Sequence, residues 1–337
     1  MSDRTLLKTF PGESAFRLFE AVPANVYPAE SLRLKQTDGL NHTVLVECWI
    51  VMRNDIPVAR LAIYHNPELK FRDQHAGCIG NYECENDSET AQLILQKAFE
   101  RLKEWGISFV IGPMNGSTWD NYRFSTHHNA APFLLEPHHH LYYNDQFRDN
   151  GFEVISEYTS SFDTDLPHNL PELMEREKHF SELGVIIRSI NLEQFDAELE
   201  RLYPFVTAAF QTNFLYTPIT WEAFREKYRE AIKIIDPEFV LIAEDADHQP
   251  IGFMFNYQNL YCTTQKQLVV KTIARSFNKQ WSGLGHVIAN KAVARAKQQG
   301  FSALIHAFMI KEATSTGISR NFSGEVYKNY ALYGREL

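Results

Sequence analysis

Lys271-Thr272-Ile273-Ala274-Arg275-Ser276-Phe277-Asn278-Lys279-Gln280-Trp281-Ser282-Gly283-Leu284-Gly285 is the stretch that decides how this chain folds. An apolar, β-branched run leads into it and two glycines stand near its end. A helix then begins at once, with Ile288, Ala292 and Ala296 on one face. Glycine lets the main chain adopt positive φ and come close to a ligand. The N–H groups at a helix start have no partners within the helix, and the helix dipole behind them favours phosphate. A dinucleotide fingerprint needs a third glycine and a downstream acid, and a P-loop needs Gly-Lys-Ser/Thr; neither is present. The remaining reading is a pyrophosphate cradle of another type at Gln280, Trp281, Ser282, Gly283, Leu284 and Gly285.

Working outward, residues 268–275 read as a strand and 239–244 with 251–257 as a hairpin around Asp245-Ala246-Asp247-His248. Phe195, Leu199, Leu202, Phe205 and Ala209 mark one helix; Trp221, Phe224, Tyr228 and Ile232 mark another. Strands at 185–190 and 303–309 complete this half, with Gly300 closing the helix that follows the glycines. The N-terminal half repeats the plan. Runs 43–52 and 57–64 flank Arg53-Asn54-Asp55, and a third run spans 76–82. A helix on Ala91, Leu95, Ala98, Leu102 and Trp105 has Ser88 as its N-cap and Gly106 as its stop, and a strand at 107–111 ends at Gly112-Pro113. Only its first helix is poorly defined. The expectation is an α/β protein with a mixed sheet flanked by helices, built twice: residues 1–165, a charged linker helix within 166–184, and residues 185–337.

Composition narrows the function classes. The 337 residues are 44% hydrophobic and 22% charged, as in an ordinary globular protein, and the net charge of −9 argues against a sequence-independent nucleic-acid footprint. The four cysteines form no C-x-x-C pair and read as free thiols. His127-His128 and His138-His139-His140 are adjacent rather than spaced on one face, so no metal site is expected. The N-terminal residues lack the apolar stretch of a signal peptide, and no run approaches the ~18 apolar residues of a membrane span. A cytoplasmic protein without membrane or nucleic-acid partners is expected.

Gln280-x-x-Gly283-x-Gly285, between a strand and a helix, resembles the Gln/Arg-x-x-Gly-x-Gly/Ala motif of the GNAT acyltransferase superfamily, which holds the pyrophosphate of coenzyme A. Tyr143, Phe147 and Gly151-Phe152 likewise resemble the ending of a GNAT helix. The resemblance implies two tandem GNAT-like domains, a layout similar to that of the mycothiol synthase family. In the N-terminal half, Tyr82-Glu83-Cys84-Glu85-Asn86-Asp87-Ser88-Glu89-Thr90-Ala91 puts Glu89 where the first motif glycine belongs. Carboxylates repel a diphosphate but suit a helix N-terminus, so this half is expected to keep the fold without the cofactor.

What the resemblance implies further is acyl transfer from acyl-CoA, most simply acetyl from acetyl-CoA, to an amine of a small or amino-acid-like acceptor. Backbone N–H groups of Ile273, Ala274 and Arg275 would form an oxyanion hole, and His306, central in the next strand, is the candidate base. The family's general-acid tyrosine is replaced by Ser319 and its helix-start asparagine by Glu312; Tyr330, among Tyr327, Tyr330 and Tyr333, is the candidate substitute. Asn115, Trp119, Asp120 and Tyr122, in a polar and aromatic stretch after a strand, are candidate acceptor-binding residues. Two other functions compete: an acyl-CoA-binding sensor that transfers nothing, and an aminoacyl-tRNA-dependent peptidyl transferase, which the acidic charge disfavours.

Overall fold

The computed structural model describes residues 4–34, 39–127, 130–166, 168, 170–311 and 324–337. The N-terminal half runs β1 (Arg4–Thr9), α1 (Phe16–Val26), α2 (Ala29–Leu32), β2 (Leu45–Arg53), β3 (Ile56–Phe71), β4 (Gln74–Cys84), α3 (Ser88–Glu104), β5 (Phe109–Gly112), β6 (Phe124–Ser125), α4 (Tyr143–Asp149) and β7 (Glu153–Asp163). Helix α5 (Pro171–Glu182) leads to β8 (Ile186–Ser189), α6 (Phe195–Phe210), α7 (Trp221–Arg229), β9 (Val240–Glu244), β10 (Pro250–Gln258), β11 (Gln267–Arg275), α8 (Leu284–Gln298), β12 (Ala303–Ile310) and β13 (Glu325–Glu336).

Local chemistry sets these boundaries. Asn54 and Asp55 take φ of 49° and 64°, the double left-handed step of a tight hairpin between β2 and β3. Asp87 rather than Ser88 caps α3, because its side chain accepts the Thr90 N–H. Helix α1 forms despite Pro23 inside it, held by the buried Phe19 and Val22.

All strands among the described residues belong to one sheet in the order β1-β2-β3-β4-β5-β13-β7-β12-β11-β10-β9-β8, with β6 on the flank of β13. Two strands change sides. β13, the last in sequence, lies antiparallel between β5 and β7, and β7 lies antiparallel to β12. Each half is therefore completed by a strand from the other, and hydrogen bonding runs across the sheet without a seam. Helices cover both faces. In the N-terminal half α3 and α4 pack on one side and α1 on the other; in the C-terminal half α8 lies on one side, α6 and α7 on the other.

The halves differ where their parallel strands end. β11 and β12 pair from Gln267↔Ala303 to Val270↔His306 and then part, although both strands continue. β4 and β5 pair only from Ala76↔Phe109 to Cys78↔Ile111, but the loop after β5 closes the gap. Met114 N–H donates to Ile79 O at 2.8 Å and Asn81 N–H to Asn115 Oδ1 at 2.9 Å.

Candidate active site

The start of α8 is open. Gly283 caps it at φ +90°, a conformation that favours glycine, and no side chain accepts from the first turn. Asn278 and Lys279 take up the N–H groups of Gln280, Trp281 and Ser282. Among the described residues nothing accepts from the N–H groups of Gly283, Leu284 and Gly285. Trp281 and Leu284 are buried and anchor the loop, Trp281 beside Phe180 of α5. Helix α5 also brings a cation here: a Cβ on Gly283 would stand 2.7 Å from Nη1 of Arg176. His286 is held below the ordinary histidine range, first by burial and then by Arg176 and Arg275. Among the described residues no carboxylate pairs with Arg176 or Arg275. The open N–H groups, a helix dipole and two guanidinium groups without a carboxylate partner, that of Arg275 donating only to Ser276 O at 2.7 Å, make a donor set for a diphosphate.

The matching place in the N-terminal half is already filled. The Asp87 carboxylate caps α3, and Arg4 donates to Asp87 at 2.9 Å and to Glu89 at 2.7 Å. The protein's own ion pairs occupy the position a phosphate would need.

Where β11 and β12 part, a cleft of about 660 Å³ opens. Its walls are Val270–Ile273, His306–Met309, the loop Thr118–Arg123 from the N-terminal half, and aromatic residues of α6, α7 and the segment between them. Of the residues proposed to hold the cofactor, Ile273 lines the cleft; Ala274, Arg275 and residues 280–285 lie outside it. The β10 register shifts between Phe255↔Thr272 and Asn256↔Val270, so Lys271 is the extra residue of a bulge. The Lys271 ammonium stands 4.4 Å from the centre of the Phe308 ring and has no acceptor among the described residues. Burial, with Arg123 and Lys227 adding to it, pushes the Lys271 pKa down to about 7. His306 is buried opposite Val270, and burial pushes it down to about 4, so it is neutral near pH 7.

The other expected site residues divide. Trp119, Asp120 and Tyr122 line the cleft. Trp119 donates its indole N–H to Thr217 O at 2.8 Å, while Asp120 accepts from Lys227, Asn41 and Ser117, each at 2.9 Å. Asn115 is elsewhere: it is the buried plug of the β4–β5 gap. Tyr330 is 1% exposed, donates to Glu136 at 2.8 Å and accepts from Ser160 at 3.2 Å. Glu136 also takes Lys328 at 2.6 Å, so Tyr330 belongs to a buried ion-pair network outside the cleft, with its pKa raised by burial. Ser319 and Glu312 lie outside the described residues. Lys271, Arg123 and Arg176 were not named as site residues; a lysine inside Leu268-Val269-Val270-Lys271-Thr272-Ile273 was a signal for the first, and the place of Arg123 in the polar and aromatic stretch after β5 a signal for the second.

No protein-family model matches the chain. In sequence it is similar to the Bacterial ceramide synthase of Caulobacter vibrioides (strain NA1000 / CB15N), 23% identical over 178 residues. That match covers 51% of this chain and 44% of the relative, less than half its length. Protein YghO of Escherichia coli (strain K12) is 20% identical over 279 residues, covering 77% of this chain and 70% of YghO. Among solved structures, a GCN5-related N-acetyltransferase from Anabaena variabilis ATCC 29413 aligns over 98% of this chain and 73% of its own, with a TM-score of 0.59 at 10% identity. A tandem GNAT protein from the clavulanic acid biosynthesis pathway aligns over 99% of this chain and 98% of its own, at 0.52 and 8% identity. The chain has the tandem GNAT fold.

Its two halves have diverged at matching places. The C-terminal GNAT-like half combines parted strands with an open helix start, and the N-terminal one has closed the first and filled the second. The histidine-rich loop serves packing: His139 accepts the Ser125 N–H at 2.7 Å, and His140 stacks on Tyr27 at 4.3 Å. Among the described residues no cluster of His, Cys, Asp and Glu could hold a metal ion, and no helix is long and apolar enough to cross a membrane.

Proposed function

We propose that this protein is an acyl-CoA-dependent N-acyltransferase, with the co-substrate held by the C-terminal half and the acceptor amine entering the cleft between the halves. The observation that carries this reading is the coincidence, in that half alone, of an open α8 start with the parted ends of β11 and β12. Acyl-CoA supplies an activated acyl thioester. The N–H groups of Gly283, Leu284 and Gly285, with Arg176 and Arg275, would hold its diphosphate. Beyond Val270 the edge of β11 that faced β12 has no strand partner among the described residues. Ser276 donates to Ile251 O in β10, and strand N–H groups alternate, so Ala274 also faces β10. The N–H groups of Ile273 and Arg275 are left to polarise the thioester carbonyl, the kind of donor placement that dominates acyl-transfer catalysis.

An amine acceptor must lose a proton to react. Lys271, with its pKa brought near 7, suits that task better than His306, whose basicity burial has removed. His306 then acts as a neutral wall of the cleft. Tyr330 is committed to Glu136, so the thiol-side acid is left unassigned.

Acetyl is the simplest acyl group for this site. A second reading, a long acyl chain, is favoured by the cleft's size and aromatic walls; its volume lies within the roughly 300–1,000 Å³ typical of sites for drug-sized ligands. Thiol release from acetyl-CoA and palmitoyl-CoA, measured against a panel of amines, tests the function. Amine-dependent release is expected with at least one donor; binding of acyl-CoA without release by any amine would leave a sensor instead.

A further inference from the structure

We propose that Arg123 is the receptor for a carboxylate on the acceptor, so that the cleft takes an amino-acid-like amine with an apolar or aromatic side chain. This deepens the acyltransferase reading and rests on it. Arg123 lines the cleft yet is only 7% exposed. Its backbone sits at φ +84°, a conformation uncommon for a residue with a side chain. The guanidinium is enclosed by three rings, with centroids at 3.8 Å (Tyr122), 4.2 Å (Tyr158) and 4.8 Å (Phe308). Nε donates to Tyr122 O at 3.1 Å, whereas the buried Nη1 has no acceptor among the described residues.

A buried guanidinium with an idle donor calls for an anion, and its planar fork matches a carboxylate. The chain offers none among the described residues. Asp120 is paired with Lys227, and Glu136 with Lys328 and Tyr330. Arg123 and Lys271 both stand over Phe308, so one small molecule can place its acid on the first and its amine beside the second. Trp119, Tyr122 and Tyr216 then surround whatever side chain lies between.

Calorimetric titration of the full chain with phenylacetate and with its neutral counterpart 2-phenylethanol tests the assignment. Phenylacetate should saturate and bind about tenfold or more tightly than the alcohol, as a charge-assisted, bidentate contact allows. Arg123→Met should erase that preference, and Arg123→Lys, which keeps the charge but not the fork, should restore part of it. Acetyl-CoA binding by each variant checks that the chain is folded. Equal binding of the two probes, no saturation by phenylacetate, or an unchanged preference in Arg123→Met would overturn the proposal. An Arg123-dependent preference for succinyl-CoA over acetyl-CoA, without one for phenylacetate, would also overturn it by placing the acid on the acyl group. Wild-type chain that binds phenylacetate but not acetyl-CoA would instead sink the acyltransferase reading and leave the carboxylate site standing.

Discussion

Lys271 sits on the strand edge where the chemistry is expected, without a counter-charge among the described residues, and its neighbours Arg123 and Lys227 make its charging harder still. A lysine in the unfolded chain titrates near 10.4, so between about pH 7 and that value the native state binds fewer protons than the unfolded one. Stability attributable to this group therefore rises with pH across that window, and the cost of the ammonium is fully felt below it. Lys271→Met should raise stability at pH 6 by up to about 1–3 kcal/mol, the cost of leaving a polar group unpaired, reduced because the side chain is only half-buried, and flatten the rise. Calorimetric melting between pH 6 and 9 reads both effects. The same substitution should lower kcat by roughly 10²–10⁴-fold and abolish an ascending limb near pH 7, if Lys271 takes the acceptor's proton. The strand holding Lys271 was legible from its apolar pattern. That Lys271 is its extra residue was not, because a bulge is defined by the partner's register. Arg123 was hidden for a related reason: its ring cage joins residues from β7, β12 and the preceding loop. Gly283 could be read because its conformation is a local demand.

At the scale of elements, α3 and α8 occupy equivalent places and solve the same problem in different ways. The first uses Asp87, Glu89 and Arg4 from its own chain; the second leaves its donors open beside Arg176. Asp87→Ala should cost about 1 kcal/mol of stability, as loss of an N-cap does, and leave acetyl-CoA affinity unchanged. Arg176→Gln should weaken acetyl-CoA binding by about tenfold, since a hydrogen bond to a charged group contributes ~1.5–3 kcal/mol, with little change in melting temperature. Glu89 in place of a glycine made this asymmetry legible. The contribution of α5 was not, because nothing in its charged pattern says which helix it packs on. Tyr330 shows the opposite failure. It was offered as a substitute acid, yet its hydroxyl goes to Glu136, 194 residues away in sequence, a partner that only the fold supplies. Lys328→Met, which strands the Glu136 charge, should destabilise the fold by ~3–5 kcal/mol, measured by urea unfolding.

Across the whole molecule, two similar halves were visible in the order of elements, whereas the exchange of β7 and β13 was not. Alternation identifies a strand without naming its neighbour. Because β13 closes β5 and β7 abuts β12, neither half has a complete sheet without the other. Residues 1–165 produced alone should lack the cooperative melting of the full chain, which should unfold in one calorimetric transition; two well-separated transitions would show that the halves are independent. The same arrangement draws the loop carrying Trp119–Arg123 over the parted strands, so the cleft is a product of the tandem and not of either half.

The most direct test of the account is calorimetric titration of acetyl-CoA into the full chain and its Gly283→Glu variant. The new carboxylate would face the diphosphate and compete for Arg176, much as Glu89 and Arg4 fill the N-terminal site. One equivalent should bind the wild type, and the variant should lose affinity by about a hundredfold or more, given the several kcal/mol that an uncompensated buried charge costs. Two equivalents per chain, no binding, or equal affinity in the two proteins would contradict it.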